Sequence, residues 1–346
     1  MSGKLKVLMT FHITPELVEK IRNVDPRVEI IYEPELLGEP RYMNDQHGGS
    51  VKRTPAQEKR WLELLGEAEI ILGYISRPYA SELPRLAPNL RWMQSPSAGI
   101  GQSVKRAGWT ETDIMFTTAS GVHSTPLAEF CLMAMLMFVK DYFHMAEEKE
   151  KKYWQRTCTW ELRGKTLAVV GLGRVGREVA RLARCVGMHV IGSKRTTEGV
   201  DPESVGVERL YSWTDLNPML SVADFVVLIC PHTSETEGLL GEEQIAAMKE
   251  GAVLINISRG VIVDERAMIR ALESGHLGGA ALDVFAMEPL PPESPFWEMP
   301  NVIISPHSAS TADTENAKLT EIFCDNLSRY LSGRPLRNLL DKQLLY

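Results

Sequence analysis

Gly171-Leu172-Gly173-Arg174-Val175-Gly176 carries the most structural information in the chain, because of what stands on either side of it. Before it runs Thr166-Leu167-Ala168-Val169-Val170, a short apolar, β-branched segment that reads as a buried parallel strand. After it, Val179, Ala180, Leu182, Ala183 and Val186 recur at helical spacing, so the glycines occupy a strand-to-helix turn. A G-x-G-x-x-G run alone is a weak signal; strand, glycines and helix in that order form a strong one. Gly171 would allow the tight turn, Gly173 would let the backbone approach a pyrophosphate, and Gly176 would let helix and strand pack closely. The exposed N–H groups of the first helical turn, at Arg174 and Val175, and the positive end of the helix dipole would hold the diphosphate. The expectation is a dinucleotide site; its alternative is a tight turn with no ligand.

The next strand decides which dinucleotide. His189-Val190-Ile191-Gly192 reads as that strand, and an NAD site places Asp or Glu just beyond it, on the ribose 2′-OH. Here Ser193-Lys194-Arg195-Thr196 follows instead. Lys194 and Arg195 would pair with a 2′-phosphate through charge-assisted hydrogen bonds, where a carboxylate would repel it. The expectation is NADP(H), with NADPH preferred and NAD possible; the alternative is a solvated basic turn.

Outward from this centre, strand and helix signals alternate on both sides. The first third shows strands at 7–10, 28–32, 70–72, 90–94 and 114–117, with helices from about Pro15 and around 57–65. A Gly- and Pro-bearing polar stretch from Gly38 to Thr54 reads as a surface loop. After the glycine motif, strands are expected at 225–229, 252–257, 280–282 and 302–304, with helices at 241–248 and 265–272. Beyond Ala312 the pattern is helical to about Leu331. The fold class is therefore α/β, with two Rossmann-like, doubly wound parallel-sheet domains and a cleft between them. The economical division is 1–123 plus 308–346 as a flavodoxin-like substrate domain and 124–307 as the dinucleotide domain. A helix over 124–149 would make the forward crossing.

Composition bounds the function classes. The chain has 346 residues, 44% hydrophobic and 24% charged, ordinary for a globular protein with room for two domains. A net charge of -7 and the lack of a basic tail argue against a nucleic-acid partner. Cys131, Cys158, Cys185, Cys230 and Cys324 show no metal or disulfide spacing, so no metal is expected, and reduced thiols suit a cytoplasmic protein. The apolar run Phe130 to Val139 is shorter than a membrane span and reads as a buried helix at a domain or subunit interface. Its Met133, Met135 and Met137 read as core filler.

Three polar residues follow strands of the second domain, at the edge where open α/β sheets bind ligands. Arg259 follows Ile255-Asn256-Ile257-Ser258, Glu288 follows Asp283-Val284-Phe285-Ala286-Met287, and His307 follows Ser305-Pro306. An arginine can take a carboxylate with two parallel hydrogen bonds. A histidine exchanges protons near neutral pH, and a nearby carboxylate favours its charged form.

Together with Pro231-His232-Thr233-Ser234-Glu235-Thr236, Asn256-Ile257-Ser258-Arg259-Gly260, Asp283-Val284-Phe285, Glu288-Pro289 and Ser305-Pro306-His307, the glycine motif resembles the D-isomer-specific 2-hydroxyacid dehydrogenases. The likeness runs from about Gln94 to Ala309, in that family's order; residues 1–90 match in pattern only. Lys194-Arg195 resembles its NADPH-using glyoxylate and hydroxypyruvate reductase branch. The resemblance implies reduction of a small 2-oxoacid to the D-2-hydroxyacid. On that implication Arg259 binds the substrate carboxylate, His307 is the proton donor and Glu288 pairs with it. Ala98 and Gly99, within Ser97-Ala98-Gly99-Ile100, would add substrate contacts through backbone N–H groups. Ile257 and Asp283 would contact the nicotinamide end, and Cys230, Pro231 and His232 the adenosine side. A homodimer is implied as well, with Trp154 placed near the partner's cleft. Arg77, in Ser76-Arg77-Pro78, is open between a substrate contact and a surface residue. Two other functions share the implied residues: a dinucleotide-sensing corepressor-like binding protein, and a formate or phosphite dehydrogenase.

Overall fold

The computed structural model describes residues 4–346 and separates into two units. One comprises the described residues up to Val122 together with Thr311–Tyr346; the other is His123–Ser310. In chain order the first contains β1 (Leu5–Met9), α1 (Pro15–Arg22), β2 (Val28–Ile31), α2 (Pro55–Glu67), β3 (Ile70–Leu72), α3 (Arg77–Ala80), α4 (Leu83–Leu86), β4 (Trp92–Gln94), α5 (Gly101–Arg106) and β5 (Met115–Thr117). The second begins with α6 (Ser124–Val139), α7 (Tyr142–Glu150), β6 (Thr166–Val170), α8 (Arg174–Cys185), β7 (His189–Lys194) and β8 (Arg209–Ser212). It continues with α9 (Asn217–Leu220), β9 (Phe225–Leu228), α10 (Glu242–Ala247), β10 (Ala252–Asn256), α11 (Glu265–Glu273), β11 (Leu277–Leu282) and β12 (Val302–Ile304). The last helix, α12 (Glu315–Leu331), returns to the first unit.

Every strand pair is parallel. The first sheet has the order β2-β1-β3-β4-β5, the flavodoxin-like arrangement. α12 seals one face of it: Phe323 and Leu327 are fully buried, and Phe323 stacks on Trp92 with ring centroids 5.1 Å apart. The Trp92 ring N–H in turn donates to Thr117 Oγ1 at 2.7 Å, so the indole is buried with its polar atom satisfied.

The second sheet has the order β12-β11-β10-β9-β6-β7-β8, so the chain reverses direction across the sheet between β6 and β9. Ligands of open parallel sheets sit beyond the carboxyl ends of the strands at such a reversal. Helices cover both faces, which is why β6, β9, β10 and β11 are near-continuous buried apolar runs rather than alternating ones.

The structure corrects several expectations. The helix expected over 124–149 is two helices, α6 and α7, because Asp141 turns left-handed at φ 54 and ends the first run. The helix α6 is buried on one face only: Met135 lies in the core, whereas Met133 and Leu136 are exposed, so Met133 is not core filler. The strand expected to stop at Gly192 continues through Lys194, and β8, a half-exposed edge strand, went unread. The stretch from Gly38 to Thr54 has no strand, yet it is not simply a surface loop, since Asp45 and Gln46 are buried. Asp45 accepts from the backbone N–H groups of Arg41, His47 and Gly48 and from the Arg41 guanidinium, which lets a carboxylate be buried. Gln46 donates to Asn316 at 2.8 Å. No helix among the described residues is long and apolar enough to cross a membrane.

Candidate active site

The glycine turn sits at the carboxyl end of β6, beside the reversal point. Gly171 has φ 109, and a Cβ there would lie 2.8 Å from the Cys230 backbone nitrogen, so the β9 exit segment is pressed against the turn. The N–H groups of Gly171 and Leu172 both donate to the Ser193 carbonyl, at 3.1 and 3.2 Å. Gly176 lies in the first turn of α8, where a Cβ would stand 2.2 Å from the Gly171 carbonyl oxygen. Only glycine allows helix and strand to approach that closely. Gly173, at the helix cap, differs: a Cβ there would meet nothing within 4 Å. Exposed Gly173 and Arg174 and half-buried Val175 leave the amino end of this 12-residue helix open. The hydroxyl of Ser193 is buried without a partner. A cramped turn, an open cap and a waiting hydroxyl fit the diphosphate and ribose of a dinucleotide.

At the far side of the turn, Lys194 ends β7 and Arg195 follows it. The Arg195 guanidinium is not alone: its Nη2 lies 3.2 Å from Glu235 Oε2 and 3.4 Å from Glu235 Oε1. Sequence reasoning quoted Glu235 but gave it no role, and no local signal links residues forty positions apart. The loop that carries Glu235 holds its own shape, since Thr236 Oγ1 donates to the Pro231 carbonyl at 2.7 Å and accepts from the Thr233 N–H at 2.8 Å. His232 Nε2 lies 3.3 Å from Glu237. Cys230 is largely buried, and burial pushes its thiol up to about 11.

On the other side of the reversal, Arg259 leaves β10 through a turn clamped by Asn256. The buried Asn256 side-chain Oδ1 accepts from the Ser258 N–H at 3.0 Å and the Ser258 hydroxyl at 2.7 Å, while Nδ2 donates to the Arg259 carbonyl at 3.2 Å. Asn256 is a structural residue that the sequence reading passed over, although Asn and Ser after a strand are turn makers. A Cβ on Gly260 would stand 1.9 Å from the Phe285 carbonyl carbon, so the Arg259 turn touches the segment that leaves β11. That segment carries Glu288, whose Oε1 accepts from the Phe285 N–H at 3.0 Å. Its Oε2 lies 2.8 Å from His307 Nδ1. Burial pushes the Glu288 carboxyl up, but the His307 contact, the Phe285 N–H and the His307 and Arg259 charges outweigh it, so it sits below its usual range.

His307 stands at φ 54, a left-handed backbone uncommon outside glycine. Asp283 holds it there. Its carbonyl accepts the His307 N–H at 2.9 Å, and its Oδ1 accepts from Ser305 Oγ at 2.6 Å and from the Ser308 and Ala309 N–H groups at 2.8 and 2.9 Å. Burial outweighs these donors and raises the Asp283 carboxyl above its usual range. Ile257 is buried just past β10.

The sequence-derived residues of this unit thus fall along one sheet edge. Crossing it, one meets His307, then Asp283 and Glu288, then Ile257 and Arg259, then Cys230 to His232, then the glycine turn, then Ser193 to Arg195. Five strand steps separate the ends, roughly 24 Å at the usual spacing of about 4.8 Å. Ala98 and Gly99 belong to the other unit, exposed on the loop that leaves the carboxyl end of β4. The side chain of Arg77 lies outside the described residues. Among the described residues no cluster of His, Cys, Asp or Glu could hold a metal ion.

Comparison with known proteins decides the family. The NAD binding domain of the D-isomer specific 2-hydroxyacid dehydrogenases matches residues 132–309. The chain belongs to that family. The dehydrogenase is 32% identical over 299 residues to the glyoxylate reductase of Korarchaeum cryptofilum, covering 84% of this chain and 88% of that protein. A D-isomer specific 2-hydroxyacid dehydrogenase family protein from Aeromonas salmonicida superposes with a TM-score of 0.80 at 27% identity, covering 98% of this chain and 100% of that one. An NADPH-dependent glyoxylate/hydroxypyruvate reductase from Sinorhizobium meliloti, solved with NADP and sulfate, gives 0.77 at 27% identity, covering 99% and 100%. The dehydrogenase is thus an oxidoreductase with a nicotinamide dinucleotide-binding domain, built like its relatives from two parallel-sheet α/β domains.

Proposed function

We propose that this dehydrogenase reduces a small 2-oxoacid of the glyoxylate or hydroxypyruvate kind to the D-2-hydroxyacid, with NADPH preferred over NADH. The observation that carries the reading is the contact of His307 Nδ1 with Glu288 at 2.8 Å, beside Arg259 on the sheet edge that also carries the glycine turn. The names of the relatives from Korarchaeum cryptofilum and Sinorhizobium meliloti support the substrate class. Lys194 and Arg195, at the end of β7, support the phosphorylated cofactor.

When bound, the dinucleotide supplies a hydride from its nicotinamide ring. The protein does the rest. Arg259 binds the substrate carboxylate through paired hydrogen bonds, which orients the 2-oxo carbon. A carboxylate can only accept, so Glu288 fixes the proton of His307 on Nδ1 and leaves Nε2 to act on substrate. As the 2-oxo carbon gains the hydride, its oxygen takes the proton from Nε2, and the ring becomes neutral. In the oxidative direction the same nitrogen removes the hydroxyl proton. Ile257 and Asp283 would flank the nicotinamide end and Cys230, Pro231 and His232 the adenosine side, while Ala98 and Gly99 would add N–H donors to the substrate.

A second copy of the chain completes the functional unit. Met133, Leu136, Tyr142, Met145, Tyr153, Trp154 and Trp160 are exposed on and after α6, apolar surface that a second copy would cover. Light scattering that gives the mass of a single chain refutes the dimer.

The test of the activity is direct. Pure protein is mixed with NADPH or NADH and each of a panel of 2-oxoacids, and the loss of cofactor absorbance is followed. Turnover of glyoxylate or hydroxypyruvate with NADPH is expected; turnover of none refutes the reductase. A tenfold greater kcat/KM with NADH refutes the cofactor preference.

A further inference from the structure

We propose that Arg195 and Glu235 act as one cofactor selector, in which the guanidinium takes the 2′-phosphate of NADPH and the carboxylate takes the 2′-hydroxyl of NADH. The inference rests on the dinucleotide reading of the glycine turn, and goes beyond it by assigning Glu235 and by making selectivity a property of the pair.

The strand that an acidic residue should follow ends at Lys194 and is followed by Arg195, which looks like the loss of the ribose-binding carboxylate. A carboxylate nonetheless reaches the Arg195 guanidinium. It comes from the neighbouring β9 exit loop, with Glu235 oxygens 3.2 and 3.4 Å from Arg195 Nη2. The loop presents it by construction: the two threonine hydroxyls bind within the turn, Thr236 Oγ1 to the Pro231 carbonyl at 2.7 Å and Thr233 Oγ1 accepting the Glu235 N–H at 3.3 Å. β7 and β9 both flank β6, so the two groups face each other across the glycine turn.

Both side chains are about half exposed, so the pair adds little to stability and is not explained by it. A chemical role fits better. A phosphate entering beside Arg195 gains a charge-assisted bond but meets the Glu235 carboxylate, a like charge at close range. A bare 2′-hydroxyl gains an acceptor in Glu235 and loses nothing at Arg195, which keeps its partner. The pair therefore narrows the difference between the two cofactors, and each half alone would widen it in an opposite direction.

Dissociation constants of NADPH and NADH, measured by fluorescence titration on the wild type, Glu235→Gln and Arg195→Gln, test this without any turnover. Glu235→Gln is expected to shift the ratio toward NADPH by about tenfold, and Arg195→Gln toward NADH by a similar factor, the lower range for a charged hydrogen bond. Unchanged melting temperatures in both variants are expected from their exposure. A Glu235→Gln ratio within twofold of wild type, or equal weakening of both cofactors, overturns the selector. A wild type that favours NADH sinks the NADPH preference alone; the selector then still stands or falls by the direction in which Glu235→Gln moves the ratio.

Discussion

His307 Nδ1 and Glu288 Oε2 lie 2.8 Å apart, joining the segments that leave β12 and β11. The contact engages Nδ1 of the ring. If Nε2 delivers the proton, His307→Gln removes the donor and lowers kcat by roughly a hundredfold or more. Glu288→Gln keeps the size of the partner but not its charge, and should cost roughly tenfold or more in kcat with little change in the KM for 2-oxoacid. Steady-state kinetics on both variants check this, and a wild-type kcat in either removes that residue from its role. The pair should also survive moderate acid. Glu288 is held below its ordinary value of about 4.3, so its contribution is complete above that pH and is lost only as pH falls through the lower folded value.

Arg259 predicts a different signature. Its carbonyl and turn are held by Asn256, so truncating the side chain leaves the backbone in place. Arg259→Ala should raise the KM for 2-oxoacid by roughly tenfold or more, the loss expected of a charged hydrogen bond. Cofactor affinity should not move. A variant with wild-type KM and kcat would falsify the assignment.

The second and third glycines of the turn, Gly173 and Gly176, can be told apart by stability. An Ala at Gly176 would push against the Gly171 carbonyl oxygen from 2.2 Å, and neither backbone can yield. Gly176→Ala should lower stability by about 1–3 kcal/mol, as overpacking does, and lose cofactor with it. At Gly173 the new methyl would meet no protein atom within 4 Å, so stability should change by less than about 1 kcal/mol. If the proposed diphosphate occupies that open space, the NADPH dissociation constant of Gly173→Ala should nevertheless rise by roughly tenfold. Thermal melts with and without NADPH separate the two; an equally tight Gly173→Ala variant would mean that the diphosphate lies elsewhere.

The reach of the sequence follows from how local each signal is. The strand, glycines and helix around Gly171 were legible because apolar runs, turn glycines and helical spacing are contiguous. The strand exits that carry Arg259, Glu288 and His307 were legible for the same reason, as polar residues directly after apolar strands. β8 was not, because an edge strand with half-exposed side chains has no apolar run to announce it. Neither was the break after α6, where Asp141 adopts a left-handed turn with no glycine or proline to mark it. Glu235 meets Arg195 only once β7 and β9 lie either side of β6, and the buried Asp45 looked like a loop residue because its donors come from its own turn.

That buried carboxylate gives the last prediction. Asp45 is 1% exposed, and burial pushes its carboxyl up, but the Arg41 guanidinium and the N–H groups of Arg41 and Gly48 outweigh this and hold it far below its usual range. A group whose folded value is depressed stabilises the fold above its unfolded value, about 3.9, and loses that contribution as pH falls toward the folded value. Asp45→Asn would turn an amide donor toward the Arg41 N–H and guanidinium, which now donate to Oδ2 at 3.0 and 2.8 Å. The variant should be less stable at pH 7 by about 2 kcal/mol, the range for hydrogen bonds to a charged group. Below about pH 4 the wild type should begin to lose this advantage, so the two denaturation curves converge in acid. Urea melts at pH 7 and pH 3 measure both terms. Equal stability at pH 7, or a gap that widens in acid, would show that the carboxylate does not hold the loop.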